Sequence, residues 1–159
     1  KVEVIRDTLN RTENKYNLKF DYIVDLDITS PLRKISDIKK AFTKFLKKKS
    51  LNLFSVCRSN KNPYFNMIEK KNGNFKLIKK QKEYFSRQKL PITYDLNASF
   101  YFWQRKALIK KNPLINKNSS VYIMPKSRSY DIDDYTDFKI VSYLMKNKWK
   151  ILIIKTYLM

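Results

Sequence analysis

The first part of the chain alternates between helical and extended patterns of apolar positions. Apolar residues recur at helical spacing over residues 2–9, and a β-rich run over residues 20–27 follows and ends in acidic side chains. A second helical stripe covers residues 38–46, with Ser36 as its expected N-cap, and residues 51–57 form another extended run. Strand, helix and strand in this order predict a βαβ unit, the building block of parallel sheets.

The middle of the chain has the pattern of an antiparallel insertion. Two short extended runs, residues 63–69 and 75–79, lie on either side of Asn72 and Gly73. Asn-Gly between extended runs is the strongest short-range signal for a β-hairpin. We therefore expect a β-rich arm inserted into the α/β domain.

The last part of the chain returns to alternating elements. Residues 97–103 and 120–124 predict two strands with a short helix at residues 105–110 between them, and a final helix begins near Asp134. The predicted buried side of that final helix carries five apolar residues: Phe138, Ile140, Val141, Leu144 and Met145. Because no internal repeat or low-complexity linker interrupts the pattern, the sequence predicts a single α/β domain over residues 1–159.

Three residue types are scarce, and their scarcity excludes whole classes of chemistry. The 159 residues contain no histidine, which excludes Ser-His-Asp and Cys-His relays and the usual zinc sites with histidine ligands. The single cysteine, Cys57, excludes an internal disulfide and a thiolate cluster and favours a reducing, cytoplasmic setting. The single glycine, Gly73, excludes a G-x-G-x-x-G fingerprint and a P-loop.

Neither end of the sequence has a targeting or membrane-spanning pattern. No apolar stretch of signal-peptide length follows Lys1, and the apolar run at residues 151–154 is far shorter than the ~20 residues of a membrane-spanning helix. We expect no membrane partner.

The charge of the chain introduces a second class of function. The sequence has 35 Lys and Arg against 14 Asp and Glu, a formal net charge of +21, with lysine-rich runs at residues 47–49 and 79–82. A lysine-rich nucleic-acid-binding domain with aromatic stacking platforms is therefore an alternative. However, 28 of the 35 cations are lysines spread over most of the chain. Because arginine is the residue typical of base and phosphate recognition, we expect no nucleic-acid partner.

Four of the ten aspartates crowd into residues 131–137 of this basic chain. Packed carboxylates repel one another unless a cation intervenes. Asp131 and Asp133 would point to one side of an extended segment, and Mg²⁺ typically uses one or two carboxylates plus substrate phosphates. The alternative is a helix N-terminus, with Asp134 as N-cap and Asp137 in the first turn. We expect Asp134 and Asp137 to have this helix-terminal role. For Asp131 and Asp133, both a metal site and a helix N-terminus remain open.

The stretch that leads into the strand at residues 97–103 is rich in side chains suited to a polar ligand. Arg87 offers a planar guanidinium that grips a carboxylate with two hydrogen bonds, and Gln88 and Asn97 offer amides for sugar hydroxyls or an acetamido group. In a regular strand, Asn97, Ser99 and Tyr101 share one face. The alternative is an ordinary strand preceded by a proline turn.

Taken together, these pieces resemble the acylneuraminate cytidylyltransferase family, the CMP-nonulosonate synthetases. The resemblance covers about residues 1–147 and rests on four motifs in the family's order: Leu26-Asp27-Ile28-Thr29-Ser30-Pro31-Leu32-Arg33, Arg87-Gln88-x-x-Pro91, Asn97-Ala98-x-x-Tyr101 and Asp131-Ile132-Asp133. The sequence is most similar to the branch that activates legionaminic acid, because Asp27 stands where the sialic-acid enzymes have Gln. Likewise, residues 62–66 read Asn-Pro-Tyr-Phe-Asn where those enzymes tend to have His-Pro-Leu-Lys.

The resemblance implies a fold, a reaction and a set of site residues. The implied fold is a Rossmann-like nucleotidyltransferase sheet in three layers, α/β/α, with an antiparallel β-rich dimerisation arm within about residues 63–101, so that a homodimer is expected. The implied reaction transfers CMP from CTP to a nine-carbon α-keto acid sugar and releases pyrophosphate, for surface glycan biosynthesis. The implied roles are as follows: Asp131 and Asp133 are the catalytic carboxylates that hold Mg²⁺, while Arg87, Gln88, Asn97, Tyr101, Asp27 and Ser30 bind the substrates.

The sequence departs from the family pattern at its beginning. Family members begin with a strand and a loop of the type Ala-Arg-x-Gly-Ser-Lys that holds the CTP phosphates, and this sequence has no counterpart. The resemblance therefore implies an N-terminally truncated domain, and we expect the 159 residues alone to bind CTP poorly. Enzymes that activate 3-deoxy-manno-octulosonate or pseudaminic acid share the implied fold and reaction, and are the nearest alternatives.

Overall fold

A computed structural model of the chain describes residues 1–80, 89–110 and 113–157, with side chains up to residue 146. Its elements are α1 (Val2–Tyr16), β1 (Tyr22–Leu26), α2 (Ile35–Lys48), β2 (Asn52–Arg58), β3 (Ile68–Lys71), β4 (Asn74–Leu77), β5 (Tyr94–Gln104), α3 (Arg105–Ile109), β6 (Ser119–Met124) and α4 (Tyr135–Tyr157). A short 3-10 turn, Lys126–Arg128, follows β6. This alternation confirms the predicted α/β class.

Four strands form the main sheet in the order β1, β5, β2, β6. β5 runs antiparallel to both of its neighbours, whereas β2 and β6 are parallel. β1 and β2 therefore run in the same direction, as the βαβ unit requires. They are not adjacent, because β5 lies between them, so the sheet is mixed rather than parallel. The carboxyl ends of β1, β2 and β6 lie at one edge of the sheet.

Buried apolar side chains pack on both faces of this sheet. On one face, Leu9 of α1 and Leu108 of α3 pack in a cluster with Trp103. On the other face, Phe45 of α2 packs against Phe102, with ring centroids 5.9 Å apart. Trp103 and Phe102 are neighbours on β5, whose successive side chains point to opposite faces. β5 is therefore the central strand of the core.

The start of α2 differs from the prediction. Lys34 is the N-cap and Ser36 lies within the first helical turn, so the prediction of Ser36 as N-cap is wrong. The reason is the buried carboxylate of Asp37, which accepts a 3.0 Å hydrogen bond from the backbone N–H of Lys34. This bond satisfies a backbone donor that an N-terminal helix end leaves without an intrahelical partner.

The predicted hairpin around Asn72 and Gly73 is confirmed, but the prediction of an extended run over residues 63–69 is wrong for its first part, since residues 63–66 form a turn and β3 begins at Ile68. β3 and β4 pair antiparallel, and Asn72 and Gly73 join them with φ angles of 52° and 80°. Two positive φ angles are the requirement of the type I′ turn, which is why Asn-Gly is favoured there. Most side chains of this hairpin are exposed.

The final helix begins directly after Asp134, as predicted, but its buried side is narrower than expected. Val141 is buried and Leu144 is half-buried, whereas Phe138, Ile140 and Met145 are exposed. The described part of α4 therefore turns only a narrow stripe towards the rest of the fold.

Within the described residues, no helix has the combination of length and apolar character needed to cross a membrane.

Candidate active site

Two loops that follow parallel strands meet at the carboxyl edge of the sheet. Residues 27–30 follow β1, and residues 125–133 follow β6. The backbone N–H of Ile132 donates a 3.0 Å hydrogen bond to the carbonyl oxygen of Thr29 and so joins the two loops. In open α/β sheets, ligands bind outside the carboxyl ends of the strands. The acidic segment and the loop after β1 therefore occupy the position where a ligand site is expected.

A bulge in β5 lies beside these loops. Ala98 has a φ of 51°, and the pairing of β5 with β2 changes register between Phe54 and Val56. The hydroxyl of Ser55 bonds to the irregular part of β5. It accepts a 3.1 Å hydrogen bond from the N–H of Phe100 and donates a 3.3 Å hydrogen bond to the carbonyl oxygen of Phe100. Bulges of this kind are common next to active sites, where they redirect side chains.

The bulge places Asn97 and Tyr101 on opposite faces of the sheet. The β2 partners of Leu96 and Tyr101 belong to the same core cluster, so these two side chains point to the same face although they are five positions apart. Asn97 follows Leu96 and points to the other face, where its Nδ2 lies 3.4 Å from the sulfur of Met124. The predicted common face for Asn97, Ser99 and Tyr101 is therefore wrong, because four β5 residues, 97–100, lie opposite Ser55 alone, and an odd number of extra residues, here three, reverses the alternation.

Asp27 is held by Lys1 and by Thr29. Nζ of Lys1 donates to one carboxylate oxygen of Asp27 at 2.8 Å, and it lies 3.2 Å from Asp25 and 4.7 Å from the centre of the Tyr101 ring. The N–H and the hydroxyl of Thr29 donate to the other oxygen of Asp27 at 3.2 and 2.8 Å. The hydrogen bond from Lys1 is the largest cause that lowers the pKa of Asp27 to about 2. Asp27 is therefore a carboxylate at neutral pH.

Several polar groups around the loop after β1 are buried. Ser30 is 1% exposed, and its hydroxyl makes no hydrogen bond with the described residues. The amide oxygen of Asn97 also has no partner among the described residues. The carbonyl oxygen of Ser99 accepts hydrogen bonds from the N–H of Asp27 at 3.1 Å and from Arg33 at 2.7 Å. Buried polar atoms without a protein partner are consistent with a place that water or a ligand fills.

Asp131 and Asp133 lie in the loop before α4, the first half-buried and the second exposed. Burial raises the pKa of Asp131, and the negative charges of Asp133, Asp137 and Asp27 add to this rise. A cation bound here would relieve the repulsion. The described residues contain no cluster of three or more side chains able to ligate a metal. A metal ion at Asp131 and Asp133 would therefore need ligands from outside the described residues, and Mg²⁺ typically uses one or two carboxylates together with phosphate oxygens and water.

Asp134 and Asp137 have the helix-capping role that was the alternative for this segment. One carboxylate oxygen of Asp134 accepts hydrogen bonds from the N–H groups of Thr136 and Asp137, at 2.7 and 2.9 Å. The carboxylate of Asp137 accepts hydrogen bonds from the N–H groups of Asp133 and Asp134, at 3.2 and 3.3 Å. This reciprocal arrangement satisfies the donors at the start of α4 and fixes the end of the acidic loop.

The two remaining predicted substrate-binding residues, Arg87 and Gln88, lie outside the described residues. In sequence they lie three and two positions before the first of residues 90–93, which line a polar cavity of about 390 Å³ together with residues 58–62. This cavity lies at the carboxyl end of β2, and Arg58 and Lys61 contribute cations to its lining. Neither Arg58 nor Lys61 was predicted as a site residue, because nothing in the local sequence pattern distinguishes them from other surface cations.

Named proteins from two Campylobacter species are similar to most of this chain. A post-translational flagellin modification protein B of Campylobacter coli is 40% identical over 149 residues, and a CMP-N,N'-diacetyllegionaminic acid synthase of Campylobacter jejuni is 38% identical over 149 residues. Each of these matches covers 93% of this chain and 63% of the relative. A pseudaminic acid cytidylyltransferase of Campylobacter jejuni is 28% identical over 131 residues, which are 82% of this chain and 56% of the relative.

No protein-family model matches the chain. Its mixed α/β sheet with a parallel pair of strands is consistent with a nucleotidyltransferase-like fold. The similarity over nearly its whole length shows that the chain belongs to the CMP-nonulosonate cytidylyltransferase family. It spans about 63% of the length of the first two relatives.

Proposed function

We propose that this chain forms part of an enzyme that transfers CMP from CTP to a nonulosonic acid, legionaminic acid or a close relative, and releases pyrophosphate for surface glycan biosynthesis. The names of two relatives, a CMP-N,N'-diacetyllegionaminic acid synthase and a pseudaminic acid cytidylyltransferase, support this proposal. The observation that carries it is the hydrogen bond from Ile132 to Thr29, which brings the acidic loop against the loop of Asp27 and Ser30 at the carboxyl edge of the sheet.

The reaction needs positioning and electrostatic stabilisation more than proton relays. The anomeric hydroxyl of the sugar gives up its proton to solvent and attacks the α-phosphorus of CTP, a new oxygen–phosphorus bond forms, and pyrophosphate leaves with the electrons of the broken bond. Residues that hold the reactants in line and offset charge supply most of the acceleration, so that the absence of histidine from the sequence is no obstacle.

Asp131 and Asp133 would hold Mg²⁺ in this enzyme. When bound, the ion offsets the negative charge on the phosphate oxygens. The raised pKa of Asp131, caused by burial and by the neighbouring carboxylates, supports this role because it marks a place where a cation is favourable. We assign Asp134 and Asp137 the capping role instead, since one carboxylate oxygen of each accepts hydrogen bonds from backbone N–H groups at the start of α4.

The acid sugar would bind at the carboxyl ends of β1 and β2. The polar cavity with Arg58 and Lys61 supports this placement, because its cations suit a sugar carboxylate and its volume of about 390 Å³ suits a ligand of this size. Arg87 and Gln88 precede the wall of the same cavity in sequence and would act with them on the carboxylate and the acyl groups. Asn97, Ser30 and Asp27 would meet the substrates nearer the acidic loop, and Tyr101 would contribute through its contact with Lys1.

The finer features of the fold belong to the same proposal. Packing on both faces of the main sheet supports a Rossmann-like, three-layer domain over residues 1–159. The hairpin of β3 and β4 exposes Ile68 and Phe75, at 61% and 68% of their surface, which supports a dimerisation arm within about residues 63–101 and a homodimer. A cytoplasmic location is supported by the single buried, unpaired cysteine, Cys57.

The test is a pyrophosphate-release assay with protein expressed from its full coding sequence. CTP, Mg²⁺ and a panel of keto-acid sugars are supplied: legionaminic acid, pseudaminic acid, N-acetylneuraminic acid and 3-deoxy-manno-octulosonate. We expect release that requires both CTP and a nonulosonic acid, fastest with legionaminic acid. Arg87→Ala is expected to weaken the use of the sugar more than that of CTP. If no pyrophosphate is released with any of the four sugars, the proposal is contradicted. If release is fastest with a sugar other than legionaminic acid, the proposed substrate is corrected.

A further inference from the structure

Arg128 and Asp37 form a two-pronged ion pair between the loop after β6 and the start of α2. Nε of Arg128 donates to one oxygen of Asp37 at 2.9 Å, and its Nη2 donates to the other at 2.6 Å. The Asp37 side chain is 2% exposed and the Arg128 side chain 22%. Neither residue has a place in the reaction outlined above, yet the pair is as short and as buried as any ion pair among the described residues.

The carboxylate of Asp37 has all its bonding positions occupied. Besides Arg128, it accepts hydrogen bonds from the backbone N–H of Lys34 at 3.0 Å and from the hydroxyl of Tyr122 at 3.3 Å. Burial alone would raise the pKa of Asp37, but the hydrogen bonds, that from Arg128 first, lower it below its ordinary value. Asp37 is therefore a charged group in the first turn of α2 that four hydrogen bonds hold in one orientation.

The other partner stands at the beginning of the acidic loop. Arg128 ends the 3-10 turn after β6, and Asp131 follows three positions later. The hydroxyl of Ser129 accepts a 3.0 Å hydrogen bond from Asn97, and the N–H of Ile132 is bonded to Thr29. The described loop is thus attached at three successive places, to α2, to β5 and to the loop after β1, and the attachment through Arg128 is the charged one.

We propose that Arg128, through Asp37, is a positioning residue that fixes the loop so that Asp131 and Asp133 face the metal and the substrate phosphates. This inference rests on the proposed function, since it assigns a purpose to the loop that the proposed chemistry requires. The physical reason is that a buried ion pair is a weak source of net stability, because desolvation of both charges offsets their attraction. A two-pronged pair instead specifies one orientation, which is what a site with tolerances of about 0.5 Å requires.

The chain contains a matched control for this idea. Glu13 of α1 and Arg105 of α3 form a second two-pronged pair, at 2.7 and 2.8 Å, with the carboxylate again 2% exposed. That pair joins two helices and lies apart from the acidic loop. Arg128→Gln and Arg105→Gln therefore remove similar bonds and leave similar buried carboxylates, but only the first releases the loop.

The test compares these two variants with wild type by two measurements that need no turnover. The first is hydrogen exchange at the N–H of Ile132, which we expect to become about tenfold or more faster in Arg128→Gln and to be unchanged in Arg105→Gln. The second is a titration with Mn²⁺, followed by paramagnetic broadening of the amide resonances of residues 131–133. Loss of a group that is hydrogen-bonded to a metal ligand typically costs 10–100-fold in affinity, and Arg128 acts less directly, through the position of the loop; we therefore expect the lower end of that range, with Mn²⁺ binding about tenfold more weakly in Arg128→Gln alone.

Conservative variants keep the test decisive if Arg128→Gln does not fold. Arg128→Lys keeps the charge but not the fork, and Asp37→Asn keeps the shape but not the charge, so both are expected to give intermediate Mn²⁺ affinity. Unchanged exchange at Ile132, equal loss of Mn²⁺ affinity in the Arg128 and Arg105 variants, or no broadening of residues 131–133 in wild type would each overturn the inference.

Failure of the proposed CMP transfer is seen separately, as absent pyrophosphate release by wild-type protein. A selective loss of Mn²⁺ affinity in Arg128→Gln supports the positioning role whichever way that assay ends.

Discussion

The backbone N–H of Ile132 lies 3.0 Å from the carbonyl oxygen of Thr29, and this bond joins two segments that are far apart in sequence. Its neighbours in sequence are the acidic residues of both loops, Asp131 and Asp133 on one side and Asp27 on the other. A backbone bond holds the loops together without consuming any side chain. The bond therefore makes no use of the carboxylates of Asp131 and Asp133, whereas the carboxylate of Asp27 already accepts hydrogen bonds from Lys1 and Thr29.

The first prediction separates the carboxylates that hold a metal from those that cap a helix. In protein expressed from the full coding sequence, we expect Asp133→Ala to abolish Mg²⁺-dependent release of pyrophosphate, because one of only two carboxylate ligands is lost. The measurement is the initial rate as a function of Mg²⁺ concentration. Turnover that keeps the wild-type dependence on Mg²⁺ would count against the metal assignment.

Asp134→Ala is the control for this experiment. Its carboxylate accepts hydrogen bonds from Thr136 and Asp137 at the start of α4. We expect this variant to lose about 1 kcal/mol of folding free energy, the usual cost of removing an N-cap, and to keep its dependence on Mg²⁺. Urea unfolding measures the first effect and the rate assay the second. A loss of Mg²⁺ dependence here would mean that the whole acidic segment acts as one unit.

The second prediction concerns the charge of Asp27. Since the hydrogen bond from Lys1 is the main cause that holds the pKa of Asp27 at about 2, Lys1→Met is expected to raise this pKa. The hydrogen bonds from Thr29 remain and also favour the charged form. Carbon-13 NMR of the Asp27 carboxyl group during an acid titration measures the change. Lys15→Met, which removes an exposed lysine from α1, is the control and should leave the titration as it was.

Local signals in the sequence predicted the elements well, because each depends on a few neighbouring residues. The hairpin is the clearest case, since Asn72 and Gly73 both tolerate the positive φ angles that a type I′ turn requires. The order of the strands was not predictable in the same way. The insertion of β5 between β1 and β2 is a pairing between segments far apart in sequence, and alternating apolar residues do not encode which strand lies next to which.

The candidate site was predictable where it lies at strand ends and unpredictable where it depends on distant contacts. Asp27 and Asp131 follow strands, which is a sequence signal for the carboxyl edge of a sheet. The roles of Lys1 and Arg128 depend on their ion pairs with Asp27 and Asp37. These partners are distant in sequence and come close only in the folded chain. The face of Asn97 was mispredicted because the bulge at Ala98 carries an alanine, and an alanine gives no sign of a positive φ.

The third prediction is a dependence of stability on pH. Glu13 accepts two hydrogen bonds from Arg105, and these are the largest cause that lowers its pKa from 4.5 to about 2. A carboxyl whose pKa is lower in the folded state stabilises the fold fully above the unfolded value and loses that contribution as pH falls through the folded value. We therefore expect the free energy of unfolding to decrease between about pH 4.5 and about pH 2, and Glu13→Gln to reduce this slope.

Asp7→Asn is the control for the pH dependence. Asp7 pairs with Arg11 at 2.8 Å on the exposed side of α1, with side chains that are 60% and 80% exposed. Exposed ion pairs on a helix contribute little, so that the slope should be the same as in wild type. Urea unfolding at a series of acidic pH values measures all three proteins. An identical slope in Glu13→Gln and wild type would contradict the assigned pKa.

The last prediction tests the strain at the bulge. Ala98 has a φ of 51°, a conformation that costs an L-residue about 1–2 kcal/mol and costs glycine nothing. Glycine also makes the unfolded chain more flexible, which offsets about 0.4–1 kcal/mol of that gain. We therefore expect Ala98→Gly to stabilise the protein by roughly 0.5–1 kcal/mol in urea unfolding, the net of these two effects.

Ala107→Gly, in the buried part of α3, is the opposite control and should destabilise by about 1 kcal/mol, because that position has ordinary helical geometry. If Ala98→Gly destabilised the protein as much as Ala107→Gly does, the backbone at position 98 would not have the left-handed conformation, and the bulge that turns Asn97 away from Tyr101 would need another explanation.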